Sequence, residues 1–145
     1  MTSRPAMPYV ELHARSAFSF LEGASLPEEL AAVCAEAGMA GMAMLDADNV
    51  SGAPRFYMAA KKLGVKAHIG AEITADDGTR WPLLVENRTG YRNLCRLITS
   101  MKLRSAKGEA RASEQEFRTF SEGLVCLTGG DDGPRERGGA DRRAD

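Results

Sequence analysis

The stretch Met42–Ile69, MAMLDADNVSGAPRFYMAAKKLGVKAHI, decides the fold. Its apolar start, Met42–Leu45, runs into polar Asp46-Ala47-Asp48-Asn49, the pattern of a buried strand entering a loop. Pro54 opens the next segment, which continues to Leu63 and stops at Gly64. Proline suits a first helical turn, where no donor is needed, and glycine suits the left-handed stop. Val65–Ile69 is again strand-like. Strand, helix and strand in succession form a βαβ unit, whose two strands lie parallel.

The same alternation extends in both directions. Upstream, Tyr9–Leu12 is a short strand, followed by the polar and aromatic loop His13–Phe20. Ser25 with Glu28 reads as the cap of a helix, Pro27 falls in its first turn, and Gly38 ends it. Leu30, Val33, Cys34 and Ala37 recur at helical spacing and form its expected buried face. Downstream, Ile73–Thr74 and Trp81–Val85 flank Asp76-Asp77-Gly78, a hairpin turn signal. A third helix is expected over Thr89–Leu103, burying Leu94, Cys95, Ile98 and Met101. Arg104–Ala112 is a polar loop, Ser113 and Glu116 form a second capping box, and Leu124–Leu127 is the last strand. The expectation is an α/β fold, with mainly parallel strands alternating with helices. About four such strands are too few to close a barrel of roughly 250 residues. Residues 1–8 read as a lead-in and 9–128 as the domain. Residues 129–145 hold five glycines, nine charged residues and no Leu, Ile, Val or Phe, the composition of a disordered tail.

Composition removes several function classes. The 145 residues carry 19 basic and 20 acidic side chains, so no global field draws the chain to nucleic acid. No apolar run approaches the roughly 18 residues of a membrane span, and Met1–Pro8 lacks a signal-peptide core. Cys34, Cys95 and Cys126 are too scattered for a disulfide framework or a metal knuckle and read as small buried hydrophobes. A reducing, cytoplasmic location is expected.

In parallel α/β folds, ligands bind beyond the carboxyl ends of the strands. His13, Asp46 and Glu72 each follow a predicted strand. A histidine and two carboxylates on one rim would suit a divalent metal.

Five blocks in order carry a resemblance. They are Tyr9–Ser25 (YVELHARSAFSFLEGAS), Asp46–Ala53 (DADNVSGA), Lys66–Glu72 (KAHIGAE), Gly90–Thr99 (GYRNLCRLIT) and Glu122–Pro134 (EGLVCLTGGDDGP). Together they resemble PHP (polymerase-and-histidinol-phosphatase) domains at the N-terminus of bacterial C-family DNA polymerases. Within that family the resemblance is to the error-prone branch of the DNA polymerase III α-subunit type. It implies an incomplete PHP-type (β/α) barrel and a link to DNA replication and translesion repair.

The departures from the family pattern bear on chemistry. An active PHP domain opens with His-x-His, where this chain has His13-Ala14-Arg15. The family's Asp-His is Asp46-Ala47 here, and a later family histidine falls at about Arg80. His13, Asp46 and Glu72 keep ligand character, whereas alanine cannot ligate and a guanidinium repels a divalent ion. Arg15 and Arg80 are therefore expected to neutralise the site, with Arg15 pointing at Asp46 or Glu72. No catalytic residue is expected. No cofactor is expected either, beyond at most a weakly held Mn or Zn ion at a degenerate site.

The resemblance thus implies a truncated, non-catalytic and structural domain of an error-prone DNA polymerase. Its partners would be the remainder of a C-family polymerase or replication and repair proteins, with DNA met only indirectly and no membrane. Two alternatives are a free-standing metal-dependent phosphoesterase and a non-catalytic interaction remnant of a disrupted gene. His68 lies inside a strand and reads as packed or surface. Arg88, Arg92 and Arg96 share one helical face, a candidate DNA or interdomain contact, although a neutral domain favours a solvated face. Phe18, Phe20, Phe56, Tyr57 and Trp81 read as core or rim packing.

Overall fold

The computed structural model describes residues 9–134. Residues 1–8 and 135–145, which include the expected lead-in and most of the expected tail, lie outside the described residues. In chain order the elements are β1 (Glu11–Ala14), α1 (Pro27–Glu36), β2 (Gly41–Ala47), α2 (Ala53–Leu63), β3 (Lys66–Thr74), β4 (Arg80–Val85), α3 (Arg88–Leu103), α4 (Glu114–Thr119) and β5 (Leu124–Cys126). The strands hydrogen-bond in chain order in one open sheet, β1-β2-β3-β4-β5. The expected α/β class is observed. β1 pairs parallel with β2, as the βαβ pattern requires, but β5 returns antiparallel to β4. The chain divides into two compact units, 1–70 and 71–145, with the boundary inside β3.

In the first unit, α1 and α2 cover an apolar cluster of Ala31, Cys34, Met42, Met44, Phe56 and Ala60. Two expectations about α1 are corrected. The cap is Leu26, not Ser25, and its N–H donates to the Glu29 carboxylate at 2.7 Å. Ser25 instead spends its carbonyl on Ala17 N–H at 2.8 Å, closing the preceding loop. Glu28 is then released to form a two-pronged pair with Arg55 of α2, at 2.6 and 2.9 Å. The buried face is Pro27, Ala31 and Cys34, and Val33, expected in it, is 53% exposed. α2 ends as expected at Gly64, in the left-handed region at φ 70°. Phe56 is fully buried, while Phe20 at the loop tip is 80% exposed.

In the second unit, β3 continues through Gly70 as far as Thr74, so the two short strands expected there are one. The turn closes through Gly78, at φ 81°, with Gly78 N–H bonded to the Ala75 carbonyl at 2.9 Å. α3 is capped by Asn87, whose side chain accepts from Gly90 N–H at 2.9 Å, and buries Asn93, Leu94, Leu97, Ile98 and Met101. Cys95, expected in that face, is only half-buried. A Cβ at Gly90 would lie 1.8 Å from the Gly123 carbonyl oxygen, so the backbones touch where no side chain fits. Trp81 of β4 stacks on Phe117 of α4 at 4.6 Å between ring centroids. Residues 129–134, placed by composition in the tail, instead form a turn in which Arg80 N–H donates to the Asp132 carbonyl at 2.8 Å.

Glu116 is the hub of this unit. It closes the α4 capping box with Ser113 N–H at 2.8 Å, accepts from Ser100 Oγ at 2.7 Å, and receives the Arg104 guanidinium at 2.7 and 3.1 Å. Arg104, with further donors at Ser113 and Ser100, holds this carboxyl at about 2 against the opposing effect of burial. Its folded pKa is depressed, so its contribution to stability is complete above about pH 4.5 and is lost as pH falls toward about 2. Glu116→Gln is therefore expected to lower the melting temperature at pH 7. The gap to wild type should narrow steadily between about pH 4.5 and about pH 2, as followed by circular dichroism.

Candidate functional site

Asp46 is the penultimate residue of β2, inside the strand rather than beyond its end, and is 1% exposed. A carboxylate buried this deeply requires donors. They come from the loop after β1. Asp46 Oδ1 accepts from Ser16 N–H and Ser19 Oγ, and Oδ2 accepts from Ser16 Oγ, each at 2.7 Å. The hydroxyls are themselves satisfied, since Ser16 Oγ accepts from Phe18 N–H at 3.1 Å and Ser19 Oγ from Ala47 N–H at 3.0 Å.

Local chemistry shapes the loop for this task. Ser19 N–H bonds to the Ser16 carbonyl, and Gly23 N–H to the Ser19 carbonyl, both at 3.0 Å. A Cβ at Gly23 would stand 2.1 Å from the Ser16 carbonyl oxygen, so only glycine permits the turn. Asn49 Nδ2 fastens the other side, donating to the Phe18 and Ala47 carbonyls at 2.9 and 3.0 Å.

The other candidates are placed as follows. His13 lies in β1, half-buried, where β1 holds one more residue than β2 opposite between Glu11 and Ala14. Such a β-bulge frees a backbone donor from the ladder. His13 N–H is taken by Glu11 Oε1 at 2.7 Å. Tyr9 Oη donates to the other Glu11 oxygen at 2.6 Å, and this bond leads in holding the Glu11 carboxyl below its usual range. Arg15 pairs with Glu22 at 2.7 Å. Asp46 is bonded to the two serines, not to His13 or Arg15.

Glu72, also inside its strand rather than past it, is 3% exposed and pairs with Arg80 of β4 at 3.1 Å. His68 sits half-buried in β3, its pKa lowered by burial and by nearby Lys66. Arg88, Arg92 and Arg96 are exposed on α3.

The hydrogen bonds of Asp46 compete with any role as a metal ligand. Three of the roughly four lone-pair positions of the Asp46 carboxylate are filled by fixed donors. Among the described residues, no buried side-chain oxygen or nitrogen lacks a hydrogen-bond partner. Nor do three or more His, Cys, Asp or Glu among them stand close enough to hold a metal.

Sequence reasoning missed Ser16 and Ser19, the partners of Asp46. The signal was the pair of hydroxyls three residues apart, followed by a glycine in a loop facing the end of β2.

The profile of the PHP domain family matches residues 11–138. An error-prone DNA polymerase of Dechloromonas aromatica is 47% identical over 113 residues, covering 78% of this chain and 11% of that protein. One from Xanthomonas axonopodis pv. citri is 41% identical over 123 residues, covering 82% and 11%. The chain therefore spans about a tenth of the length of these curated relatives. Among solved structures, a two-domain protein of Bacteroides vulgatus, described as containing a predicted PHP-like metal-dependent phosphoesterase, superposes with a TM-score of 0.58. It shares 14% identity over 92% of this chain and 41% of its own, a likeness of fold alone. Among the described residues, no helix is long and apolar enough to cross a membrane.

The serine network predicts a stability effect. Asp46→Ala strands three buried donors and should cost about 3–5 kcal/mol, against about 1–3 kcal/mol for Ser19→Ala. Urea unfolding with an unchanged slope would measure both. A loss below about 1 kcal/mol for Asp46→Ala would show that the network does not support the fold.

Proposed function

This chain belongs to the PHP domain family, and from that premise we propose that it is a non-catalytic, structural PHP module of an error-prone DNA polymerase. One observation carries the reading: Asp46, at a position where the family places a metal ligand, is spent on Ser16 and Ser19. Glu72, at a second ligand position, is paired with a guanidinium. His13 alone cannot hold an ion that needs several donors.

The module works as a brace. Its acidic groups tie loop to strand in the first unit and strand to strand in the second. Its natural context is the remainder of a C-family polymerase or replication and repair proteins, in the cytoplasm. The likeness to error-prone polymerases over most of the chain supports this context. The module needs no metal to keep its shape.

Two measurements test the proposal. The purified chain should not hydrolyse p-nitrophenyl phosphate in millimolar Mn, and it should not extend a primed template. Mn or Zn at the same concentration should leave its melting temperature unchanged, because only a bound ligand stabilises the folded state. Mn-dependent turnover that disappears in His13→Ala would overturn the proposal and establish the phosphoesterase alternative.

A further inference from the structure

Five of the nine arginines among the described residues are used internally. Arg15, Arg55, Arg80, Arg104 and Arg118 each hold a carboxylate, on Glu22, Glu28, Glu72, Glu116 and Glu114. Arg88, Arg92 and Arg96 do not. Among the described residues their side chains have no hydrogen bond or ion pair, and all three are exposed.

Their placement works against the helix that carries them. Like charges four residues apart repel along a helical face. Arg88, in the first turn of α3, also opposes the helix dipole, and that turn has no acidic residue to compensate. No ion pair among the described residues offsets these costs. An external anion would.

The surface has a definite form. Arg88, Tyr91, Arg92, Cys95, Arg96 and Thr99 line an open groove of about 430 Å³ along α3. The arginines rise in steps of about 6 Å, four residues at roughly 1.5 Å each. That is close to the separation of consecutive phosphates on one nucleic-acid strand. Tyr91, 39% exposed between the first two arginines, offers an aromatic face. A cationic track interleaved with an aromatic ring is the chemistry that holds single strands, phosphates on the charges and a base on the ring.

We propose that the outer face of α3 binds single-stranded nucleic acid directly, with Arg88, Arg92 and Arg96 on successive phosphates and Tyr91 stacked on a base. Such binding is additional to the structural role above and does not depend on it. It revises the expectation that this chain meets DNA only indirectly. Net charge hides the site because acidic residues elsewhere cancel it. Attraction to nucleic acid at close range is set by the local track rather than by the sum.

The test uses the full chain and fluorescence anisotropy with a labelled oligothymidylate of about twenty nucleotides, long enough to exceed one binding site, titrated at several salt concentrations. Arg88→Gln, Arg92→Gln and Arg96→Gln combined should weaken binding at least about tenfold at low salt. The slope of log affinity against log salt should fall by about 2, at roughly 0.7 for each phosphate no longer neutralised. Tyr91→Ala should weaken binding at least about fivefold by removing the stacked ring. Three Arg→Lys substitutions should retain most of the affinity. Lys61→Gln with Lys62→Gln, which removes two exposed charges from α2, should leave it unchanged.

Equal affinity for wild type and the triple Gln variant would overturn the proposal, as would an equal loss in the α2 control. Tighter binding of polyglutamate than of the oligonucleotide would also overturn it, identifying an acidic protein segment as the occupant. The substituted positions are exposed and glutamine is a good helix former, so circular dichroism should report an unchanged fold.

Discussion

A carboxylate almost wholly removed from water has to find donors, and in this protein that requirement organises the first unit. Asp46 can stay buried only while Ser16 and Ser19 are held against it. Holding them fixes the turn from Ser16 to Gly23, and that turn brings Ala17 N–H to the Ser25 carbonyl. The start of α1 follows at Leu26, which releases Glu28 to reach Arg55 on α2. One buried charge thus propagates through a loop, a helix start and a helix–helix pair. The apolar cluster beneath α1 and α2 supplies the area that drives collapse. The polar network selects which arrangement of loop and strand that collapse adopts.

The second unit follows the same logic with other partners. Glu116 gathers a helix cap, a serine and a guanidinium around one carboxylate, and Glu72 pairs with Arg80. In both units acidic side chains serve as internal ties. Acids and bases nearly balance over the whole sequence, yet their pairing is selective. Among the described residues, Arg88, Arg92 and Arg96 of α3 have no side-chain partner, which is why charge on this protein is better read residue by residue than as a total.

What could be read from the sequence was local. Gly64 as a stop, Gly78 in a turn, and Ser113 with Glu116 as a box all depend on residues within a few positions of one another, and they stand where the spacing put them. The errors came from long-range pairing. Gly70 looked like an end, but a strand inside a sheet tolerates a glycine when neighbouring strands supply the hydrogen bonds, so β3 ran on and took Glu72 into its interior. Ser25 looked like a cap until the loop claimed its carbonyl. At the site, the identities of Asp46 and Glu72 were legible from their motif positions. Their partners were not, because Ser16 and Ser19 lie 30 and 27 residues from Asp46 and no periodicity records that separation.

The serine–aspartate network also makes this arrangement hard to leave. An imidazole introduced at position 47 would follow an aspartate whose carboxylate already accepts three hydrogen bonds. Changing Ser16 or Ser19 first would release those oxygens, but it would slacken the loop before any metal was present to hold it. The network therefore acts as an epistatic tie: the loop and Asp46 have to change together, because either change alone leaves buried donors or a buried carboxylate short of partners.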